Sequence, residues 1–165
     1  MINYGEQEKR FFKRALLLNI FPEMENISEL SIGPPMRDKV TGHTYVKVKP
    51  WLSGKFFFRN KNISYSRFNL ADYKRKINDT HLEVPVLKAE NPEALVNYMN
   101  EIYLHSVNIR TVTSQYDVMR GMQIELSKET LKTFNLSNPV VGQILLLEVQ
   151  ESSYLFEGSL KIKFI

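Results

Sequence analysis

The 165-residue sequence contains no cysteine, which excludes a disulfide framework, a thiolate zinc site and a cysteine nucleophile, and favours synthesis in a reducing compartment. Long apolar runs are also missing. The longest near the start, Ala15 to Phe21, is broken by Asn19 and falls far below the ~20 residues that a membrane-spanning helix needs. It runs directly into Pro22 and Glu23, so neither a secretory signal nor a membrane partner is expected. The seven glycines never occur as G-x-G, which leaves no dinucleotide cradle. Ser53-Gly54-Lys55 lacks the first glycine and the following hydroxyl of a phosphate loop, and it reads as a turn.

Histidine is scarce. His43, His81 and His105 lie far apart, and no pair has the i, i+4 spacing that places two imidazoles on one helix face. His105 suits a helix C-terminus, where a cation meets the negative end of the macrodipole. Ser53, Ser127 and Ser153 lack a G-x-S-x-G elbow and fit turns and caps. Glu83, Glu125 and Glu148 fall on expected strands, where a pair of carboxylates could converge. Glutamates on half-exposed strand faces are common without catalysis, so no catalytic residue, metal, cofactor or small-molecule substrate is expected.

What is present is an ordinary globular composition, 43% hydrophobic and 24% charged, enough to bury one sizeable core. The net charge of +4 is unevenly spread. Arg37 to Lys76 holds eleven Lys or Arg and only two acids, Asp38 and Asp72, while the flanks are net acidic. Such a chain attracts a polyanion, or the acidic face of another copy of itself.

The pattern of residues predicts an α+β fold, mainly an antiparallel β core with an N-terminal helix and one or two helices in the C-terminal half. The first helix is expected from Glu6 to Phe21, with Pro22 closing it. Its apolar set, including Phe11, Phe12, Ala15 and Leu16, is wide. The helix therefore packs either on its own domain or, as an arm, on a neighbour. From Ile27 to Phe68 the period is two, with Val46 and Val48 alternating against Tyr45, Lys47 and Lys49. Lys55 to Arg59 and Ile63 to Phe68 flank Asn60-Lys61-Asn62 as a hairpin. A short helix capped by Asn69 follows.

In the second half, a strand from Leu82 to Leu87 carries Pro85, which suits an edge or a place beside a bulge. Asn91 as N-cap, Pro92 and Glu93 open a helix with Leu95, Tyr98, Met99 and Ile102 on one stripe, ending near His105. Strands are expected at Val107 to Val112 and Met122 to Leu126, with a short helix capped by Ser127 carrying Leu131 and Phe134 inward. Ile144 to Val149 reads as a continuous buried run, and residues 154–164 alternate strictly, making a C-terminal hairpin. The expected organisation is an N-terminal helical arm at 1–26, a basic β-rich segment at 27–76 and an α+β core at 77–165, with a single domain as the alternative.

One constellation has chemical content. Lys47, Lys49, Trp51, Lys55, Phe57, Arg59, Lys61, Tyr65, Arg67, Lys74, Arg75 and Lys76 interleave charges with rings, the combination that holds single-stranded nucleic acid. The same residues also suit a solvated sheet face whose charges guard an edge, or an acidic protein partner. Phe11, Phe12, Leu16, Lys47, Lys49, Trp51, Lys55, Phe57, Arg59, Lys61, Arg67, Lys74 and Arg75 are the candidate partner contacts.

The stretch from Thr80 to Val149 holds Leu82-Glu83-Val84-Pro85, the Asn91-Pro92 capped helix, Tyr116-Asp117-Val118-Met119-Arg120-Gly121, and Leu126-Ser127 through Asn138-Pro139-Val140-Val141-Gly142. In style it resembles small virion structural proteins of large tailed bacteriophages. That resemblance implies a tail, neck, baseplate or capsid component, assembled in the host cytoplasm and lacking an active site. It covers about half the chain and transfers no individual residues. The expected function is that of a structural subunit whose partners are copies of itself and other structural proteins. The alternative is a nucleic-acid-binding accessory protein using residues 45–76.

Overall fold

Apolar residues spaced three and four apart make the first helix amphipathic, and α1 (Tyr4–Asn19) turns Phe12, Ala15 and Leu16 fully inward. The computed structural model describes residues 4–21, 30–50, 61–73, 80–102 and 125–165. The expected helix was displaced by two residues at each end. After Asn19 the chain closes on itself, with the Ile20 and Phe21 amides both donating to the Leu16 carbonyl at 2.8 and 2.9 Å.

The chain is an α+β protein, and its described residues fall into two units. The first takes in 4–21, 30–50, 61–67 and 152–155. Its sheet is built on β3 (Thr44–Pro50) as the central strand. On one side lie β1 (Leu30–Ile32) and β2 (Met36–Arg37), and on the other β4 (Lys61–Tyr65), all antiparallel to it. β1 and β2 follow each other along the same edge, Ile32 opposite Val48 and Met36 opposite Tyr45. Gly33 still donates to the Lys47 carbonyl at 2.9 Å. Pro34 and Pro35 have no N–H to give, so the ladder breaks between them.

Alternation along β3 sends Thr44, Val46 and Val48 inward with Ile63 and Tyr65 of β4, and Tyr45, Lys47 and Lys49 outward. The Phe12 ring lies 4.8 Å from that of Tyr65 and 5.4 Å from that of Tyr154. The helix thus packs on the sheet of its own unit. Phe12 and Leu16, two of the candidate partner contacts, have no exposed surface there.

The second unit takes in 68–73, 80–102, 125–151 and 156–165. Its elements are β5 (Phe68–Asn69), β6 (Leu82–Val84), α2 (Pro92–Ile102), β7 (Ile144–Glu148), β8 (Phe156–Glu157) and β9 (Ser159–Phe164). β9 lies between β6, to which it is parallel, and β7, to which it is antiparallel. β5 and β8 form a separate parallel pair. β6 stops at Val84, before Pro85, and is followed by a 3₁₀ turn at Val86–Lys88; among the described residues it is an edge strand.

Asn91 caps α2 through Oδ1, which accepts from the Ala94 amide at 2.8 Å, and Leu95, Val96 and Met99 face the core. Asn69 does the same for the 3₁₀ turn at Leu70–Tyr73, accepting from the Ala71 amide at 2.9 Å. Ser127 is different. It precedes the 3₁₀ turn at Lys128–Thr130 without capping it, and its hydroxyl donates to Glu129 instead. The strand expected at 107–112, residues 122–124 of the next one, the hairpin arm 55–59 and the helix end at His105 lie outside the described residues.

The boundary expected at 76/77 lies outside the described residues; among those described, the first unit runs to Arg67 and takes in 152–155 again. A local hydrophobic pattern gives no sign of that return.

Candidate functional site

The described residues present three features: a buried polar clasp and the outer faces of the two larger sheets.

The clasp holds the first unit together. Glu8 on α1 is buried, and its Oε1 accepts from the Ser153 hydroxyl at 2.7 Å, from the Tyr154 amide and from the Leu155 amide at 3.0 Å. Tyr65 donates through its hydroxyl to the Tyr154 carbonyl at 2.7 Å, and Tyr154 donates to the Gly33 carbonyl at 3.0 Å. Arg67 spans Thr44 Oγ1 at 2.9 Å and the Ser153 carbonyl at 3.1 Å. The Ser153 hydroxyl and the Tyr154 and Leu155 amides each find an acceptor here, which lets such a cluster stabilise. Arg67 was expected to face a partner; its guanidinium is turned inward to this clasp. These interactions position 152–155 against α1.

The outer face of the first sheet is polar and basic. Lys47 sits opposite Asn62, Lys49 opposite Ser31, and Tyr45 between Met36 and Ser64. Lys47 and Lys49 are exposed and two residues apart on one strand, so both project from the same face. None of the described strand residues on that face is acidic. Lys61 is exposed at the start of β4, opposite Val48. Phe11 is half-buried on α1, with Arg14 over its ring at 5.6 Å. Trp51, Lys55, Phe57, Arg59, Lys74 and Arg75 lie outside the described residues.

The outer face of the second sheet departs most from expectation. Ile144 to Val149 was read as a continuous buried run, yet among the described residues β7 is an edge strand, and of that run only Leu147 and Val149 are buried. Ile144 is 59% exposed and Leu146 52%, with Val140 at 68%, Val141 at 72% and Ile165 at 47%. A continuous apolar run is a two-faced burial signal only when the strand is covered on both faces, and nothing in the described residues covers this one.

The turn before β7 aims these residues. Gln143 donates to the Val140 carbonyl at 3.0 Å, and Gly142 at φ 91° supplies the left-handed third position of a type II turn. Gly142 then donates to the Phe164 carbonyl at 2.8 Å while Phe164 donates to the Gln143 carbonyl at 2.9 Å. Two residues thus oppose one, which is a bulge with glycine in first place. From there β7 runs alongside β9 from Ile144 opposite Lys163 to Glu148 opposite Ser159.

Acid–base geometry is not assembled from the three candidate glutamates. Glu83 is exposed on β6 opposite Lys163, 3.7 Å from His81. Glu148 lies at the other end of β9's ladder and meets Lys132 at 3.2 Å, while Glu125 is exposed outside any strand. Among the described residues no group of three His, Asp or Glu is placed to hold a metal ion. Among the same residues no helix is long and apolar enough to cross a membrane. No family model matches the chain, and neither the curated proteins nor the solved structures searched contain a match.

Proposed function

We propose that the chain is a structural subunit of a macromolecular assembly and acts through protein–protein contacts. The observation that carries this reading is the set of exposed apolar residues Val140, Val141, Ile144 and Leu146 in and before β7, with Ile165 just past the end of β9. From Val140 to Leu147 the sequence has no charged residue. Edge strands of proteins that stay alone are guarded by lysine, proline or short length, and contiguous apolar surface of this kind marks a contact with another macromolecule. The resemblance of Thr80 to Val149 to tailed-bacteriophage structural proteins supports a virion as the assembly, put together in the host cytoplasm. The test is size fractionation of native extract from the cells or particles in which the chain is made. The chain is expected at a mass far above that of a single copy, and recovery only at single-chain mass overturns the reading.

A second reading, binding of nucleic acid, is favoured by the acid-free outer face of Tyr45, Lys47, Lys49 and Asn62. It predicts that affinity for single-stranded DNA falls steeply with salt, and that Lys47→Ala with Lys49→Ala reduces the salt slope by about 0.7 per lost phosphate contact. No binding at low salt removes it.

A further inference from the structure

We propose that β7 is the seam of a symmetric pair, in which the β7 strands of two copies of this chain run antiparallel about a two-fold axis and join the two β6–β9–β7 sheets into one. The proposal rests on the assembly reading and names one of its partners. It starts from the backbone. Val149 donates to the Gly158 carbonyl and Phe164 to that of Gln143, so the odd-numbered residues between them turn their N–H and C=O groups toward β9. Alternation then sends those of Ile144, Leu146 and Glu148 to the opposite edge. There the Glu148 carbonyl accepts from Lys132 at 2.8 Å, and next to it Gln150 donates to Thr130 at 2.9 Å. The edge is thus occupied from 148 onward and open at Ile144 and Leu146 among the described residues.

A two-fold contact must suit itself, because the same patch supplies both sides. With Leu145 at the axis, Ile144 of one copy lies opposite Leu146 of the other, and the open N–H and C=O groups of each meet those of its mate. The outward side chains of Ile144 and Leu146 then form one apolar cluster on the outer face.

Charge permits this arrangement. The single charge on β7, Glu148, is already joined to Lys132 at 3.2 Å within the copy. Lys161 and Lys163 stand on β9, one strand back. Across the seam they are three strand spacings apart, about 14 Å, beyond the ~8 Å over which exposed charges act at physiological salt. The residues exposed at 140, 141, 144, 146 and 165 amount to roughly 500 Å² per copy, so a pair can cover at most about 1,000 Å², the lower limit for a specific interface.

The experiment uses the purified full chain. Sedimentation is followed from low micromolar to several hundred micromolar, with amide exchange read residue by residue at both ends of that range. The expected result is a reversible dimer whose formation slows exchange at the Ile144 and Leu146 amides at least tenfold, while Leu145 and Leu147, already bonded to β9, do not change. Leu146→Lys, an exposed position whose side chain lies outside the core, is expected to raise the dissociation constant at least tenfold without altering the melting temperature. A chain that stays monomeric at several hundred micromolar overturns the seam. So does a dimer that persists in Leu146→Lys with the Ile144 and Leu146 amides unprotected. In either case, high mass in native extract would leave the assembly reading standing, and single-chain mass there would remove both.

Discussion

The two larger sheets resemble each other in size and differ in what they turn outward. In the first unit, β3 alternates cleanly, with valines inside and Tyr45, Lys47 and Lys49 outside. The sheet is closed on its inner side by a helix fastened through Glu8. In the second, β7 keeps leucine and isoleucine on both faces, and Ile144 and Leu146 remain in solvent. The difference teaches that burial alone does not explain the apolar content of this chain. One sheet uses its hydrophobic residues for its own core, whereas the other has a surplus on an edge where apolar surface is a liability unless something covers it.

Substitutions sharpen this contrast. The largest expected effect is that of Glu8→Leu, which strands the Ser153 hydroxyl and the Tyr154 and Leu155 amides in a buried site. An unsatisfied buried donor costs about 1 to 3 kcal/mol each, so a loss of roughly 3 to 5 kcal/mol is expected for the first unit. Denaturant titration checks it. A loss below about 1 kcal/mol would mean that packing of Phe12 and Leu16 holds α1 without the clasp.

Next comes Gly158→Ala in the second unit. Gly158 has φ 89°, and a Cβ there would stand 2.6 Å from Asn69 Oδ1, the atom that caps the Leu70–Tyr73 turn. Backbone strain and the displaced cap together predict a loss of about 1 to 3 kcal/mol. The cost should shrink when Asn69→Ala is already present, because the two changes share one contact. Additive losses in thermal melts would contradict the contact.

The smallest effect is that of Glu129→Gln. The Ser127 hydroxyl, donating to its carboxylate, is the main cause that holds the Glu129 pKa below its ordinary value, followed by a backbone hydrogen bond. A lowered folded pKa means that its contribution is complete above the ordinary carboxylate range and fades as pH falls through the lowered value. Glu129 is exposed, so the substitution should change stability by no more than about 0.5 kcal/mol. The wild-type advantage should vanish in acid melts, and an advantage that grows with acidification would reverse the assignment.

Much of the fold was legible because its signals are local. Asn91-Pro92-Glu93 marks the start of α2, Asn69 marks a cap, and the period-two pattern of 159–164 and of 44–49 returns as β9 and β3. Phe12 and Leu16 were legible as buried, though not where. The clasp was illegible, because Glu8 looks like any acid in a first helical turn until a segment 145 residues later in the chain closes on it. β7 was misread for a related reason. Ile144-Leu145-Leu146-Leu147 carries no alternation, and only the sheet order reveals that it is an edge. The signal that could have flagged it is the absence of any charge from Val140 to Leu147 next to a turn-forming Gly142.

The central claim is that the apolar strip on β7 is a contact made in the native state. The most direct measurement compares the native mass of the wild-type chain with that of Leu146→Lys produced in the same cells. The account predicts that the wild-type chain is carried in a large species and that the variant, folded and equally abundant, is shifted toward the mass of one chain. A wild-type chain found alone, or a variant that enters the large species as efficiently as wild type, would contradict it.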